Sequence, residues 1–128
     1  MLLKESWLSV TDNTNVRWVK VFQLYKGSTK KSLKIGFFLK GSARIVEPPR
    51  LEYKGFKYKF NLKGDICRLL FVRANFTKLN LDGSSTRFYN NSGINIRKKQ
   101  DPKSKFLNGP ITRNIKRKKF LTLFKVVI

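Results

Sequence analysis

The sequence contains no histidine, so it lacks the side chain that most often exchanges protons near neutral pH. General acid–base catalysis would then depend on the acidic residues, which number only seven and form no evident pair. Without histidine there is also no Cys/His spacing of the kind that binds zinc. The sequence therefore predicts a protein that is not an enzyme and that has no metal or cofactor.

Cysteine is almost absent as well, since Cys67 is the single one. A lone cysteine cannot form an internal disulfide, which excludes a disulfide-stapled secreted scaffold. A nucleophilic cysteine would need a histidine partner, and the chain has none. Cys67 lies in the apolar stretch Ile66–Val72, where we expect it to be a small buried side chain.

Acidic residues are too few to balance the basic ones. Lysine and arginine number 29 against seven acids, which gives a formal net charge of +22 on 128 residues. A single domain of this size repels itself when folded unless a polyanion binds to it. We therefore expect one domain, residues 1–128, whose partner is strongly negative.

Long apolar runs are missing too, and their absence helps to decide whether the expected polyanion is nucleic acid or an anionic membrane. No stretch approaches the roughly 18 apolar residues of a transmembrane helix, and the apolar tail Phe120–Ile128 is interrupted by Lys125. The cations are spread along the whole chain, whereas a membrane-surface protein concentrates them on one amphipathic helix. These observations favour nucleic acid rather than a membrane as the binding partner. A membrane-active cationic protein is a distant alternative.

What is present is a series of short β segments. Alternation of apolar and polar residues predicts strands at Ser6–Thr11, Val16–Tyr25 with a bulge near Trp18, Ile35–Val46, Leu51–Leu62 and Gly93–Ile96. The near-continuous apolar run Ile66–Val72, interrupted by Arg68, is typical of a buried strand. Many short strands with glycine-rich corners predict a mainly β fold, a small closed barrel.

Two turns carry further predictions. Asp82-Gly83 favours a β-hairpin with a type I′ turn, in which Gly83 has a positive φ. Gly109-Pro110 predicts a tight turn that feeds a helical segment, Thr112–Phe124, which is broken into two short turns and has Thr112 as its cap. In such a helix Arg113, Lys116 and Arg117 would share one cationic face.

Four motifs, read in order, resemble one family. Leu8–Arg17 (LSVTDNTNVR) is similar to the LNVADNSGAR opening of the universal large-subunit ribosomal protein L-fourteen. Gly64–Arg73 resembles its KGD…VVRT strand, Asp82–Asn91 its DGSxIRFDNN motif, and Asn108–Arg113 its FGPVTR motif. Lys119-Phe120 stands where that family has Lys-Phe. The resemblance extends from about residue 7 to 124.

The resemblance implies a closed five-stranded β-barrel with a projecting β-ribbon and one or two short C-terminal helices. It implies binding to large-subunit rRNA near the intersubunit face, beside ribosomal proteins of the three and nineteen families. It also implies an intersubunit bridge to the small subunit and a docking surface for a ribosome-silencing factor. The basic clusters and the motif arginines are the predicted rRNA-binding residues: Arg17, Lys30, Lys31, Lys34, Lys54, Lys57, Arg87, Arg97, Lys98, Lys99, Arg113, Lys116 and Arg117.

Departures from the family bear on location. Asn114 and Lys118 stand where the family commonly has glutamate, which strengthens the expected rRNA contact and weakens the bridge and silencing-factor expectations. Twenty lysines against nine arginines, with abundant Phe, Asn and Ile, indicate AT-rich codons. The N-terminus shows neither an apolar signal segment nor a long Arg/Ser-rich arm, so we expect a chain that lacks a targeting presequence or has already lost it. Together these features favour a mitochondrion-encoded protein of the mitochondrial ribosome. The alternative is a free-standing OB-like protein that binds single-stranded nucleic acid.

Overall fold

A computed structural model of the chain describes residues 2–12, 14–25, 32–48, 62–97, 101–102, 107–113, 115 and 118–128. The strands are β1 (Leu2–Leu3), β2 (Trp7–Val10), β3 (Val16–Leu24), β4 (Ser32–Leu33), β5 (Phe38–Val46), β6 (Ile66–Arg73), β7 (Lys78–Leu79), β8 (Ser85–Thr86), β9 (Ser92–Asn95), β10 (Leu107–Ile111) and β11 (Phe124–Val127). One helical turn, α1, comprises Lys118–Leu121. The predicted strand Leu51–Leu62 lies almost entirely outside the described residues.

Five of these strands close into a barrel in the order β2-β3-β5-β6-β9. Neighbouring strands run antiparallel except at the closure, where β2 pairs parallel with β9 through Ser9 with Ser92 and Val10 with Gly93. Closure leaves none of the five strands with a bare edge. The predicted closed five-stranded barrel is confirmed.

The barrel interior is filled by the alternating apolar residues of its strands. Val19 of β3, Leu39 and Ala43 of β5 and Leu69 of β6 are fully buried in this core, and Cys67 is buried with them as expected. The pairing of β3 with β5 shifts register around Trp18, which confirms the predicted bulge.

A second core lies outside the barrel. Leu70 and Val72 of β6 and Ile94 of β9 point away from the interior and pack under the C-terminal segment, against buried residues such as Phe120. Both faces of β6 are therefore covered from Leu69 to Val72. This explains why the sequence from Ile66 to Val72 is apolar at every position except Arg68 and does not alternate.

The C-terminal segment differs from the prediction. Leu107–Ile111, which includes the expected tight turn Gly109-Pro110, forms β10 and pairs parallel with β11. The register shifts between Leu107 and Pro110, consistent with a proline that has no N–H to give to the ladder. Pairing of β10 with β11 and burial of Ile111 stabilise the strand conformation more than the local preference of Gly109-Pro110 stabilises a tight turn.

The expected helix start is wrong in the same segment. Thr112 is buried and lies outside any helix, and the helical turn begins only at Lys118. Ile115 and Phe120 are both buried in the second core, and Ile115 lies outside any helix, so the first of the two expected helical turns is not formed from Thr112. Residues 114, 116 and 117 lie outside the described part.

Strand β5 begins later than predicted, at Phe38, because Ile35 and Gly36 form a turn. The backbone N–H of Gly36 donates to the carbonyl of Phe71 (2.8 Å), and that of Phe71 donates to Phe37 O (3.0 Å). These hydrogen bonds tie the turn to β6.

The hairpin of β7 and β8 is confirmed, but its turn type is not. Leu79 pairs with Ser85, and Gly83 has a φ of 91°, as predicted. Asp82 does not have a positive φ, so the turn is not type I′. Asn80 N donates to Ser84 O (2.8 Å) and Gly83 N to Asn80 O (3.1 Å), which defines a three-residue loop.

The side chain of Asp82 explains this turn. Its Oδ1 accepts hydrogen bonds from the backbone N–H (3.0 Å) and hydroxyl (2.7 Å) of Ser84, an Asx-turn that needs no left-handed backbone at the aspartate. These bonds hold the pKa of Asp82 below its usual value. The carboxylate therefore stays charged at neutral pH, and its contribution to the loop is lost only as the pH falls through that lowered pKa.

The buried Asp12 carboxylate joins β2 to β9. Its Oδ2 accepts the backbone N–H of Asn95 (2.8 Å), and its Oδ1 accepts the N–H (3.1 Å) and hydroxyl of Thr14. Asn95 Nδ2 donates in turn to Thr14 Oγ1 (2.9 Å). The aspartate of the Leu8–Arg17 motif is thus a structural residue of the barrel closure.

We predict that Gly41→Ala destabilises the barrel by about 1–3 kcal/mol, the usual cost of overpacking a core. A Cβ at Gly41 would overlap Val19 Cγ1 and lie 2.8 Å from the backbone oxygen of Lys20, and backbone cannot easily retreat. Urea denaturation in high salt measures the loss. Ser42→Ala, at the adjacent half-buried position, is the control and should cost much less; equal stabilities of the two variants would contradict the packing argument.

Candidate nucleic-acid interface

The acidic residues of the described part mainly serve the fold. Asp12 and Asp82 accept backbone hydrogen bonds as described above, and Asp65 Oδ2 accepts the N–H of Leu62 (2.8 Å). Glu5 lies 3.3 Å from Lys20 Nζ, and Glu47 pairs with Arg17. Most of the 29 basic side chains therefore have no carboxylate in the chain to neutralise them.

Eight of the thirteen predicted rRNA-binding residues lie outside the described part, namely Lys30, Lys31, Lys54, Lys57, Lys98, Lys99, Lys116 and Arg117. The other five are placed on separate elements of the fold: Arg17, Lys34, Arg87, Arg97 and Arg113. The structure does not show what any of them binds, and their role stays a prediction.

Two of the five side chains are held by other residues of the chain. Arg17 makes a two-pronged ion pair with Glu47, with N···O distances of 2.8 and 2.9 Å, which raises the pKa of the guanidinium. Arg87 donates from Nε and Nη2 to Asn75 Oδ1, both at 3.2 Å, but keeps its charge uncompensated. Of the two, Arg87 is the freer to bind an anion.

Lys34, Arg97 and Arg113 are exposed. Arg97 follows β9, and its backbone N–H donates to Asp101 O (2.8 Å). Arg113 follows β10, and its N–H donates to Ile128 O (3.2 Å). Since no helix begins at Thr112, the expected helical face shared by Arg113, Lys116 and Arg117 loses the geometry on which it was based.

The structure draws attention to one further arginine, which belongs to none of the dense basic clusters of the sequence. Arg73 ends β6 with its guanidinium half-buried, and desolvation lowers its pKa. Its Nε is buried and has no hydrogen-bond partner within the described part of the chain. A partly desolvated cation without a counter-charge is costly, and an incoming phosphate would offset that cost.

Arg73 also restricts which residue can occupy position 109 of the neighbouring strand β10. Gly109, with a φ of 82°, lies directly against the guanidinium: a Cβ there would overlap Nη1 and lie 3.0 Å from Cζ. The two residues belong to separate family-like motifs, Gly64–Arg73 and Asn108–Arg113. The fold brings these motifs together at one place.

Arg68 and Lys40 were missed for the same reason, since neither lies in a dense basic cluster. Arg68 is the one cation inside the apolar stretch Ile66–Val72, and Lys40 is one of the two cations of β5, the other being Arg44. A charged residue that interrupts a buried strand is the signal that could have found them, because such a position keeps a charge only at a cost.

A separate surface of the barrel exposes large apolar side chains. Trp18 is 38% exposed and pairs across β3 and β5 with Ile45, which is 51% exposed. Trp7, 49% exposed, is diagonal to Trp18 on β2. The two ion pairs described above involve Arg17 and Lys20, the β3 residues on either side of Trp18 and Val19.

The described residues contain no group of three or more histidine, cysteine or acidic side chains that could hold a metal ion. Nor does this part of the chain form a helix long and apolar enough to cross a membrane.

We predict that Gly109→Ala weakens RNA binding while Gly83→Ala does not. Both positions have a left-handed φ, so alanine costs each of them roughly 1–2 kcal/mol of backbone strain. At Gly83 the new Cβ meets no atom within 4 Å, whereas at Gly109 it displaces the guanidinium of Arg73, which can move because it ends a flexible side chain.

Losing a charge-assisted hydrogen bond reduces affinity about ten-fold or more. Filter binding at fixed salt should show this loss for Gly109→Ala alone, with similar losses of unfolding free energy in both variants. Equal RNA affinities would show that Arg73 does not contact RNA.

The comparison with known families agrees with this geometry. The sequence model of the family described as ribosomal protein L14p/L23e matches residues 1–127, nearly the whole chain. It covers the closed barrel, the β7–β8 hairpin and the segment that places Gly109 against Arg73. The family is one of structural ribosomal constituents rather than catalysts, and its members bind rRNA and other ribosomal proteins. This chain belongs to the ribosomal protein L14p/L23e family.

Proposed function

We propose that the protein is a structural constituent of the mitochondrial large ribosomal subunit that binds large-subunit rRNA near the intersubunit face. The observation that carries this proposal is the distribution of charge. Five of the seven acids, Asp12, Asp65, Asp82, Glu5 and Glu47, are engaged in turns, in the barrel closure and in two ion pairs. Exposed or half-buried cations such as Arg73, Arg87 and Arg113 lack a carboxylate partner among the described residues. A polyanion completes such a surface.

The apolar surface supports contact with neighbouring ribosomal proteins, for which the resemblance suggests the three and nineteen families. Trp7, Trp18 and Ile45 expose large apolar side chains where the nearby charges are paired. Aromatic residues of this kind, at positions with little net charge, are typical of protein interfaces. The bridge to the small subunit and a silencing-factor contact are further parts of the proposal, carried by the family resemblance alone.

The mitochondrial location is supported by composition. Twenty lysines against nine arginines indicate an AT-rich gene, as organelle genomes often are. Sedimentation tests the proposal. In mitochondrial lysate at about 0.5 M salt, where phosphate contacts alone are weakened, the protein should still migrate with the large subunit, because contacts with neighbouring proteins of the assembled subunit also hold it. Migration in the light fractions would favour the alternative, a free-standing OB-like single-strand binder, and migration with cytosolic large subunits would contradict the location.

We also predict that binding of the isolated chain to large-subunit rRNA depends steeply on salt. If about eight phosphates are neutralised, log K should fall with log salt at a slope of about −6 to −7. Filter binding between roughly 0.1 and 0.5 M salt gives the slope. A slope shallower than about −2 would contradict the proposal that phosphate contacts dominate.

A further inference from the structure

Two cations face each other on the outside of the barrel. Lys40 of β5 is paired directly with Arg68 of β6, and both side chains are half-buried. Like charges at directly opposed positions of an antiparallel pair repel each other. Both side chains approach Tyr25, which follows β3: Lys40 Nζ is 5.6 Å and Arg68 Cζ 5.9 Å from the centre of its ring.

The chain itself offers little to neutralise this pair. Within the described residues neither cation has a carboxylate partner, and the Nε atom of Arg68 is buried without a hydrogen-bond acceptor. The ring of Tyr25 attracts both cations, but a cation–π contact contributes less than a full counter-charge. Two half-buried cations therefore lie against one aromatic ring, with no carboxylate beside them among the described residues.

The chemistry of the three side chains indicates which anion fits. A guanidinium presents a planar fork of N–H donors that matches an oxyanion, and an ammonium adds a point charge. The aromatic ring keeps the two cations close together in the absence of a ligand, so less ordering is needed on binding. Because the chain has a net charge of +22 and belongs to an rRNA-binding family, the anion is best supplied by a nucleic-acid backbone.

We propose that Lys40 and Arg68 bind one backbone phosphate of an RNA strand and that Tyr25 is a positioning residue that holds them in place. This inference rests on the proposed function and names a contact that the dense basic clusters do not include. In the free protein, repulsion between Lys40 and Arg68 is a cost to the fold. A bound phosphate would neutralise the two cations and remove this cost.

The test compares two double variants with the same change in charge. Lys40→Gln with Arg68→Gln removes the proposed site, and Lys63→Gln with Lys125→Gln removes two exposed cations on other elements. Filter binding to transcribed large-subunit rRNA, over a series of salt concentrations, gives the affinity and its salt slope. We expect the first variant to bind about ten-fold to a hundred-fold more weakly than the parent, and the control to lose about three-fold or less.

The salt slope of the first variant should also become shallower by about 0.7–0.9, the contribution of one phosphate. Tyr25→Leu should reduce affinity less than the double variant and leave the slope nearly unchanged, since it removes no charge.

Stability separates binding from a purely structural role. If the pair serves RNA, Lys40→Gln relieves repulsion and the free protein melts at the same or a higher temperature. A lower melting temperature together with unchanged rRNA affinity would overturn the proposal, because the three side chains would then only hold β3, β5 and β6 together.

Two further outcomes also overturn it. Equal rRNA affinities of the two double variants would exclude a phosphate contact at Lys40 and Arg68. The proposed function would still hold in that case if rRNA binding by the parent chain depended steeply on salt. Normal rRNA binding with poor incorporation into subunits would identify an acidic protein segment as the partner. If the parent chain itself failed to bind rRNA, the proposed function would fail first.

Discussion

Positive charge that the chain does not neutralise is the constraint to which the rest of the structure responds. Folding brings the basic side chains onto a small surface, where they repel one another unless acids or a ligand intervene. Five of the seven acids are already engaged within the fold: Asp12 closes the barrel, Asp82 and Asp65 hold turns, and Glu5 and Glu47 pair with cations of β3. This distribution of charge supports the proposal that a polyanion, rRNA, binds the basic surface.

Strand β6 shows how the barrel tolerates this charge. One of its faces fills the barrel interior, and the other supports the second core under the C-terminal segment. Apolar burial on both faces stabilises the strand. This stabilisation offsets the cost of holding Arg68 within the strand and Arg73 at its end. Each arginine has a buried Nε without a partner among the described residues, so the same strand that stabilises the fold also holds two cations in an unsatisfied state.

Local patterns predicted the barrel strands well, but they did not predict which residues distant in sequence meet in the fold, for one physical reason. Alternation around Val19 and the continuous run through Leu70 reflect which faces are buried, and the bulge at Trp18 appears as a slip in that alternation. The pairing of Lys40 with Arg68, or the approach of Arg73 to Gly109, depends on barrel register and on residues far apart in sequence. The helix expected from Thr112 was wrong because parallel pairing of β10 with β11 is also a long-range choice.

The most direct test of this account is the thermal unfolding midpoint of the isolated full chain as sodium chloride is raised from about 0.05 to 1 M, where the screening length falls to about 3 Å. If uncompensated repulsion burdens the folded state, screening relieves it and the midpoint rises by several degrees. Sodium chloride is preferred to sulfate, because sulfate also strengthens apolar burial. A midpoint that stays constant or falls with salt would mean that the charges are already balanced within the fold, and it would contradict the claim that the fold awaits a polyanion.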